Sequence, residues 1–346
     1  MKKILVTGGC GYIGAHTIID LINNGFEVLS IDDLSRGSLR MLQGIEKITG
    51  KTVKNYKVNL CDMEDTTAVF TENRDIVGIV HFAAYKSVPE SVAEPLKYFR
   101  NNINSLVNLL QCAKTYGINN FVFSSSCSVY GNADILPVDE SAELKEAQSP
   151  YARTKQMGEA ICRDFARVHP EFNAILLRYF NPVGAHDTAL IGELQEKAEN
   201  LVPVITQTAI GKLREMNVFG TDYDTRDGSC VRDYIHVMDI ADAHTKALQY
   251  VMESRNSSNC EIFNLGSGDG VTVLELIAAF EKVSGQKLNY KLGDRRSGDV
   301  VAVYANNSKA RQLLNWEIKY SLDKMMDTAW RWEVGMKKDA DKVQLN

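Results

Sequence analysis

The feature that most constrains the fold is a glycine-rich segment, TGGCGYIG, that follows a short apolar run at residues 3–7. Gly8, Gly11 and Gly14 have the G-x-x-G-x-x-G spacing of a turn that joins a β-strand to the N-terminus of a helix. Such glycines permit a tight turn, a close approach of backbone N–H groups to a pyrophosphate, and close packing of helix on sheet. The segment therefore predicts a parallel α/β sheet that binds a dinucleotide.

An acidic residue, Asp32, ends the second predicted strand. A carboxylate there can accept hydrogen bonds from the adenosine ribose hydroxyls and would repel a 2′-phosphate, which favours NAD over NADP. Arg36 could hold a 2′-phosphate, so NADP remains an alternative. A glycine turn that only joins strand to helix is a second alternative, disfavoured because strand, glycines, helix and acid occur in register.

Predicted strands and helices alternate regularly over the first 180 residues, and longer irregular stretches separate them afterwards. The strand candidates are Lys3–Thr7, Glu27–Ile31, Lys54–Asn59, Gly78–Phe82, Phe121–Ser124 and Ala174–Arg178, and the main helix candidates are Tyr12–Asn24 and Ser91–Tyr116. This alternation predicts an α/β, Rossmann-type, doubly wound parallel sheet over residues 1–180. Residues 181–346 predict a smaller C-terminal α/β lobe for the substrate, from which some segments return to the first domain. Its candidate elements are helices at Leu201–Leu213 and Thr272–Ser284 and strands at Asn217–Phe219 and Cys260–Asn264.

Composition restricts the partners. The net charge of −5 argues against a nucleic acid partner, which needs a clustered basic surface. No stretch approaches the roughly 20 apolar residues of a membrane span, and the N-terminal apolar run is too short for a signal peptide. The seven cysteines are scattered singly, without the close pairs of a zinc site or a disulfide framework, so we expect a cytoplasmic protein.

A second constellation indicates acid–base chemistry. Tyr151 and Lys155 form a Y-x-x-x-K pair on one face of a predicted helix. The ammonium of Lys155, with a nicotinamide cation nearby, should lower the phenol pKa of Tyr151 and make it a general base. The preceding strand ends in Ser124, Ser125 and Ser126, at the sheet edge where ligands bind. An incidental pair on a surface helix is the alternative, disfavoured by the serine-ended strand and the glycine turn.

Seven segments together resemble one family over nearly the whole chain. They are TGGCGYIG, HFAAYKSVPES, FVFSSSCSVYG, PYARTK, LRYFNPVGAH, VRDYIHVMDIADAH and RRSGD. The chain resembles the extended short-chain dehydrogenases/reductases that act on nucleotide sugars, and among them the UDP-glucose 4-epimerase family. The resemblance implies reversible C4 epimerisation of UDP-glucose and UDP-galactose through a 4-keto intermediate, with transient reduction of bound NAD. It also implies a homodimer formed by helices after the fourth and fifth strands.

The resemblance assigns roles residue by residue. Ser126, Tyr151 and Lys155 correspond to the catalytic group. The implied cofactor contacts are Gly8, Gly11, Tyr12, Ile13, Gly14, Asp32, Asp33, Asn59, Leu60, Phe82, Ala83, Ala84, Lys86, Asn101, Ser124, Tyr151, Lys155 and Tyr179, with Lys86 near the pyrophosphate. The implied substrate contacts are Lys86, Ser126, Tyr151, Phe180, Asn181, Asn200, Leu201, Asn217, Phe219, Arg232, Arg296, Asp299 and Val303. The arginines suit a diphosphate on charge grounds.

Two segments depart from the family pattern. The usual acid beside the adenine is Asn59, whose amide oxygen can still accept a hydrogen bond from the adenine amino group. The substrate loop reads GELQEKAENLVP instead of a proline- and asparagine-rich sequence, which predicts a partly helical loop ahead of Asn200.

Other functions of the same fold can be distinguished from epimerisation by particular residues. The 4,6-dehydratases carry an Asp-Glu pair where this chain has Cys127 and Ser128, and related decarboxylases place a glutamate there. A dinucleotide-sensing regulator would not need Tyr151 and Lys155 together. The run HVMDIADAH suggests a metal site, but capping and decoration of a helix is the simpler interpretation, and we expect no metal.

The resemblance also bears on the size of the sugar. In the family, the position four residues after the aspartate of the R-R-x-G-D motif borders the sugar, and a tyrosine there excludes N-acetylhexosamines. Here that position is Val303, next to Tyr304. The chain is therefore expected to interconvert UDP-GlcNAc and UDP-GalNAc as well, unless the altered loop or Tyr304 closes the same space.

Overall fold

The structure, a computed structural model, describes residues 1–194, 198–296 and 300–344. The strands are β1 (Lys3–Thr7), β2 (Glu27–Ile31), β3 (Asn55–Tyr56), β4 (Ile76–His81), β5 (Asn120–Ser126), β6 (Asn173–Tyr179), β7 (Asn181–Val183), β8 (Met216–Phe219), β9 (Val231–Arg232), β10 (Tyr234–His236), β11 (Cys260–Leu265), β12 (Val271–Thr272), β13 (Tyr290–Gly293) and β14 (Ala302–Val303). The helices are α1 (Tyr12–Asn23), α2 (Leu39–Thr49), α3 (Met63–Glu72), α4 (Val88–Ala93), α5 (Pro95–Tyr116), α6 (Pro150–Val168), α7 (Leu201–Ala209), α8 (Val237–Met252), α9 (Val273–Ser284), α10 (Ser308–Leu314) and α11 (Leu322–Gln344).

One seven-stranded sheet organises the larger part of the chain. Its strand order is β11-β6-β5-β4-β1-β2-β3, and every neighbouring pair is parallel. The chain starts in the middle at β1, builds outward to β3, and then returns to build the other half from β4. The doubly wound parallel sheet is confirmed. The reversal between β1 and β4 opens a crevice at the carboxyl edge, where ligands bind in such sheets.

The central strands of the sheet are buried on both faces. In β1, Ile4 and Val6 belong to the core on one face of the sheet, and Leu5 belongs to the core on the other. All three are completely buried. A strand with both faces covered has no polar alternation, which is why β1 reads as an unbroken apolar run.

A single predicted helix over Ser91–Tyr116 is wrong. The structure has two helices there, α4 and α5, which meet at Glu94 with φ −129° and ψ 58°. The physical reason is Pro95, whose ring disfavours helical backbone in the preceding residue. The other differences are in length, since the predicted strand Lys54–Asn59 shrinks to Asn55–Tyr56 at the sheet edge.

Two segments of residues 181–346 pack with the large sheet. The strand predicted near Cys260–Asn264 is β11, which pairs with β6 and closes the large sheet. The helix α8 likewise packs on α1. What remains apart is built from three small sheets, β10-β7, β12-β9-β14 and β13-β8, around a separate apolar core. No helix among the described residues is both long and apolar enough to span a membrane.

Candidate active site

The glycine turn forms a cradle at the crevice. Gly8 has φ +71°, and a Cβ on it would lie 2.9 Å from the backbone nitrogen of Ala83 at the end of β4. A Cβ on Gly14 would collide with the carbonyl oxygen of Gly8. Both positions therefore require glycine. The turn leaves open backbone in front of the N-terminus of α1, a shape and polarity suited to a pyrophosphate.

Asp32 is buried beside this cradle, and its two oxygens are held by the backbone. One oxygen accepts from the N–H of Cys10 at 3.0 Å and the other from the N–H of Leu34 at 2.9 Å. Burial raises the pKa of Asp32 from 3.8, and these two hydrogen bonds oppose the rise. The carboxylate is thus fixed in orientation, and each oxygen keeps a lone pair for a ribose hydroxyl.

Arg36, the alternative ligand of a 2′-phosphate, is engaged elsewhere. Its guanidinium pairs with Glu90 at 2.5 Å and lies 5.4 Å from the ring centroid of Tyr85. Glu90 also accepts from Lys97 at 2.7 Å and from the Tyr98 hydroxyl at 2.9 Å. The partners of Arg36 favour NAD over NADP.

The remaining predicted cofactor contacts follow the carboxyl ends of the strands. Those at or near the ends of β2, β4, β5 and β6 are Asp33, Phe82, Ala83, Ala84, Ser124 and Tyr179. Asn59 is exposed, and its amide oxygen accepts from the N–H of Cys61 at 2.9 Å. Asn101 on α5 donates to Asn102 at 3.0 Å. The sequence interpretation missed Asn102, which is buried and ties Tyr85 and Thr154 together.

The catalytic candidates come together where β5 meets α6. The helix begins after Ser149, whose hydroxyl accepts from the N–H of Ala152 at 3.1 Å, with Pro150 in the first turn. The Lys155 ammonium donates to the carbonyl oxygen of Ser124 at 2.6 Å and lies 5.9 Å from the ring centroid of Tyr151. This contact joins the helix to the serine-ended strand.

The protein's own electrostatics oppose the ionisation of Tyr151. Burial raises the pKa of Tyr151 to about 12, and the adjacent Ser126 hydroxyl opposes the rise. Burial also lowers the pKa of Lys155 to about 8, because its charge is held away from water. The predicted lowering of the tyrosine pKa depends on Lys155 together with a nicotinamide cation, so it stays a prediction. A further positive charge beside the phenol is needed for ionisation near pH 7.

A buried ion pair behind the site was missed. Arg178 on β6 forms two hydrogen bonds with Glu159, at 2.8 and 2.6 Å, and both side chains are almost wholly buried. The hydroxyl of Ser125 donates to the same carboxylate at 2.5 Å. Glu159 raises the pKa of Lys155 against the effect of burial. Its position four residues after Lys155, on the same helix face, is the sequence signal that could have revealed it.

The predicted diphosphate ligands lie on the smaller lobe. Arg232 on β9 is fixed by its own hydrogen bonds to the carbonyl oxygens of Val231 at 2.9 Å and Val300 at 2.8 Å. Asn181 uses its backbone and side-chain N–H groups to bind the carbonyl oxygen of Asp233, at 3.0 and 2.8 Å. Asp233, also missed, is fully buried and accepts from backbone N–H groups of three neighbouring residues. Asp233 thus links the segment between β9 and β10 to the backbone at residues 267–268 and 305.

The other predicted substrate contacts lie on separate segments of the chain. Asn217 and Phe219 point outward from β8, and the Arg296 guanidinium lies 5.5 Å from the ring centroid of Phe219. Asn200 and Leu201 are at the start of α7, and the described residues immediately before them are not helical. Phe180 is buried next to Asn181. Asp299 lies outside the described residues, as do residues 195–197 of the atypical loop.

Val303 is close to both the diphosphate and the catalytic candidates. It lies opposite Arg232 in the parallel pairing of β14 with β9, and it packs in one apolar cluster with Cys127 and Phe180. Tyr304 has its ring near Gly270, where a Cβ would lie 3.1 Å from the ring. Tyr304 directly follows β14, and its ring packs near the segment that precedes β12.

The histidines of the HVMDIADAH run have individual structural partners. His236 caps α8 and stacks on Tyr320 with ring centroids 4.0 Å apart. His244 shares a hydrogen bond of 2.8 Å with the carbonyl oxygen of Ile240. Over the described ranges no three histidine, cysteine, aspartate or glutamate residues are grouped so as to hold a metal ion.

Comparison with known proteins gives one consistent family. The family model described as GDP-mannose 4,6 dehydratase matches residues 5–329. UDP-glucose 4-epimerase of Bacillus subtilis (strain 168) is 46% identical over 331 residues, which cover 95% of this chain and 96% of that protein. The bifunctional UDP-glucose 4-epimerase and UDP-xylose 4-epimerase 3 of Arabidopsis thaliana is 45% identical and covers 96% and 95%.

Solved structures similar to this chain include epimerases of nucleotide sugars. The UDP-glucose 4-epimerase of Stenotrophomonas maltophila, solved with bound NAD and formylated UDP-arabinopyranose, has a TM-score of 0.94 at 41% identity and covers 98% of this chain and 100% of that one. The UDP-Glc/GlcNAc 4-epimerase of Campylobacter jejuni has a TM-score of 0.85 at 38% identity, with coverage of 97% and 100%.

Proposed function

Because the chain belongs to the UDP-glucose 4-epimerase family of extended short-chain dehydrogenases/reductases, we propose that it interconverts UDP-glucose and UDP-galactose through a 4-keto sugar, with NAD retained from one turnover to the next. The observation that carries the proposal is the contact between β5 and α6, made by the Lys155 ammonium and the Ser124 carbonyl oxygen. There Ser126, Tyr151 and Lys155 share one end of the sheet with the glycine cradle.

The cradle fits NAD. Gly8 and Gly14 leave no room for a Cβ, and the fixed carboxylate of Asp32 suits two ribose hydroxyls. When bound, NAD supplies a reversible hydride acceptor and a positive nicotinamide ring. A positive charge near Tyr151 favours the phenolate and offsets the rise that burial causes.

Each side chain of the site has a separate role in the proposed reaction. Tyr151 accepts the proton of the sugar C4 hydroxyl and later returns it, with Ser126 hydrogen-bonded to the same oxygen. Lys155 holds the strand end through Ser124 and adds positive charge. Arg232, Asn181 and Arg296 anchor the UDP. The 4-keto sugar can then turn about its phosphate linkage and present its other face, which inverts C4.

Dehydration is disfavoured despite the name of the matching family model. Elimination across C5 and C6 needs an additional acid and base, and the corresponding positions are Cys127 and Ser128. Burial raises the pKa of the Cys127 thiol to about 12, so it is neutral near pH 7 and cannot replace a carboxylate. Reversible oxidation at C4 remains as the supported chemistry.

Product analysis tests the proposal. Purified protein incubated with UDP-galactose alone should yield UDP-glucose, and the reverse reaction should reach the same equilibrium mixture. The separation of the two UDP-hexoses by chromatography is the measurement. A 4-keto-6-deoxy product would support dehydration, and binding of NAD and UDP-sugar without any product would support a sensor.

We also propose that the site accepts UDP-GlcNAc and UDP-GalNAc. The support is Val303, whose small side chain lies opposite Arg232 and in one apolar cluster with Cys127, together with the packing of the Tyr304 ring near Gly270. The same panel of substrates, extended to the N-acetyl sugars, tests this.

A homodimer is the proposed assembly. Two adjacent helices, α5 and α6, expose large apolar side chains, with Leu96 80%, Val107 43% and Met157 38% exposed and Ile103 and Ile161 half-buried. A second copy of the same pair of helices would cover them in a two-fold interface. Light scattering should give twice the chain mass, and Leu96→Glu with Val107→Glu should give the monomer. A monomeric wild type would contradict the proposal.

The cytoplasm is the proposed location. All seven cysteines are free, as expected in a reducing compartment. The acidic net charge supports the view that the protein has no nucleic acid partner. Fractionation of cells that produce the protein tests the location.

A further inference from the structure

One carboxylate, Glu193, lies between the two proposed binding sites and has no role in the reaction above. Only 11% of its side chain is exposed. Its Oε1 atom accepts from the Lys86 ammonium at 2.8 Å and from the Asn200 amide at 3.3 Å. Lys86 is the proposed pyrophosphate contact and Asn200 a proposed UDP contact. A single oxygen atom therefore joins one residue of each site.

The position of Glu193 is set by the C-terminal helix. The indole N–H of Trp332 on α11 donates to the carbonyl oxygen of Glu193 at 2.9 Å. Gly192 lies against the same indole, where a Cβ would come within 2.5 Å of the ring. The Arg40 guanidinium covers the Trp332 ring at 5.3 Å. Glu193 is thus held by tertiary packing.

Glu193 is also close to the N-terminus of α1. The buried hydroxyl of Tyr12, the first residue of that helix, has its pKa raised by burial and further by the negative charge of Glu193. A lone carboxylate close to a bound pyrophosphate would repel it. The Lys86 ammonium removes this conflict, because its three N–H donors can serve Glu193 and a phosphate oxygen together.

We propose that Glu193 is a positioning residue that couples the two sites. UDP that fixes Asn200 also fixes Glu193 and, through it, Lys86 over the dinucleotide, so bound UDP slows dinucleotide release. This inference rests on the proposed function. Thermodynamic reciprocity requires that the dinucleotide tighten UDP binding by the same factor. A partly exposed ion pair of this kind supports a coupling of up to about fivefold.

The test uses the release of NADH from the full-length protein. Protein loaded with NADH is mixed with excess NAD⁺, and the loss of bound-NADH fluorescence gives the release rate with and without saturating UDP. In wild type, UDP should slow release about three- to fivefold. In Glu193→Gln the two rates should be nearly equal, and in Glu193→Asp, which keeps the charge on a shorter side chain, the ratio should be intermediate.

The matched control is Glu333→Gln. The Lys212–Glu333 pair has a distance of 2.7 Å and side-chain exposures of 48% and 9%, against 2.8 Å, 56% and 11% for Lys86–Glu193. Neither of its members is a proposed ligand contact, so Glu333→Gln should keep the UDP effect.

Three outcomes overturn the inference. They are a wild type that binds NADH and UDP without any effect of UDP on release, a Glu193→Gln variant that keeps the full effect, and equal loss of the effect in Glu333→Gln. A wild type that binds neither NADH nor UDP would overturn the proposed function as well. Direct titration of each ligand separates that failure from the other three.

Discussion

Replacing Val303 by tyrosine tests whether the sugar pocket has the shape inferred for it. Val303 lies beside Arg232 in the sheet and packs in a cluster with Cys127, which follows Ser126 in the chain. A sugar whose diphosphate binds Arg232 and whose C4 faces Ser126 must pass this side chain. A tyrosine ring there would occupy the space that a 2-acetamido group needs.

The magnitude follows from the cost of overpacking. Forcing additional atoms into an occupied, partly buried space costs about 1–3 kcal/mol, so kcat/KM for UDP-GlcNAc should fall roughly 5- to 150-fold in Val303→Tyr. UDP-galactose has only a hydroxyl at the same carbon, and its kcat/KM should change by less than about threefold. The prediction is therefore a change in substrate preference.

The assay is chromatographic separation of the epimers at subsaturating substrate. Val301→Tyr is the matched control, because Val301 is 43% exposed two residues earlier and should tolerate the ring with both substrates. Wild type without measurable activity on UDP-GlcNAc would refute the reasoning. Equal losses on the two substrates in Val303→Tyr would refute it too, since they would indicate general distortion of the site.

Three further predictions concern catalysis, the cofactor and stability. Tyr151→Phe should lower turnover by at least roughly 10²–10⁴ while calorimetry shows UDP binding largely kept, and near-normal turnover would assign the base to another residue. Purified protein should release NAD(H) on denaturation without prior addition of cofactor, whereas a need for stoichiometric external NAD with net oxidation of the sugar would contradict epimerisation. Burial lowers the pKa of His16, His81 and His236 from 6.5 to about 3. The unfolded chain therefore takes up protons first, and stability should fall below about pH 6.5 by up to roughly 1.4 kcal/mol per pH unit for each histidine. Melting temperatures that stay constant between about pH 7 and pH 5 would contradict this.

The sequence by itself determined the elements whose chemistry is local. The glycine turn before α1, Asp32 at the end of β2 and the Tyr151–Lys155 spacing on α6 each depend on a few neighbouring residues, and each occupies the predicted element. Alternation of apolar strands with helices was likewise sufficient for the doubly wound sheet, because parallel pairing requires such crossovers.

Only the tertiary structure decided the contacts between distant parts of the chain. Whether β11 belongs to the large sheet depends on its pairing with β6, which no local pattern specifies. The pairing of Glu193 with Lys86 spans 107 residues, and the partners of Arg178 come from another element. The rise that burial causes in the pKa of Tyr151 is likewise a property of the whole fold. Spacing on a helix gives the neighbours of a phenol, but its pKa depends on how much water the whole fold removes from it.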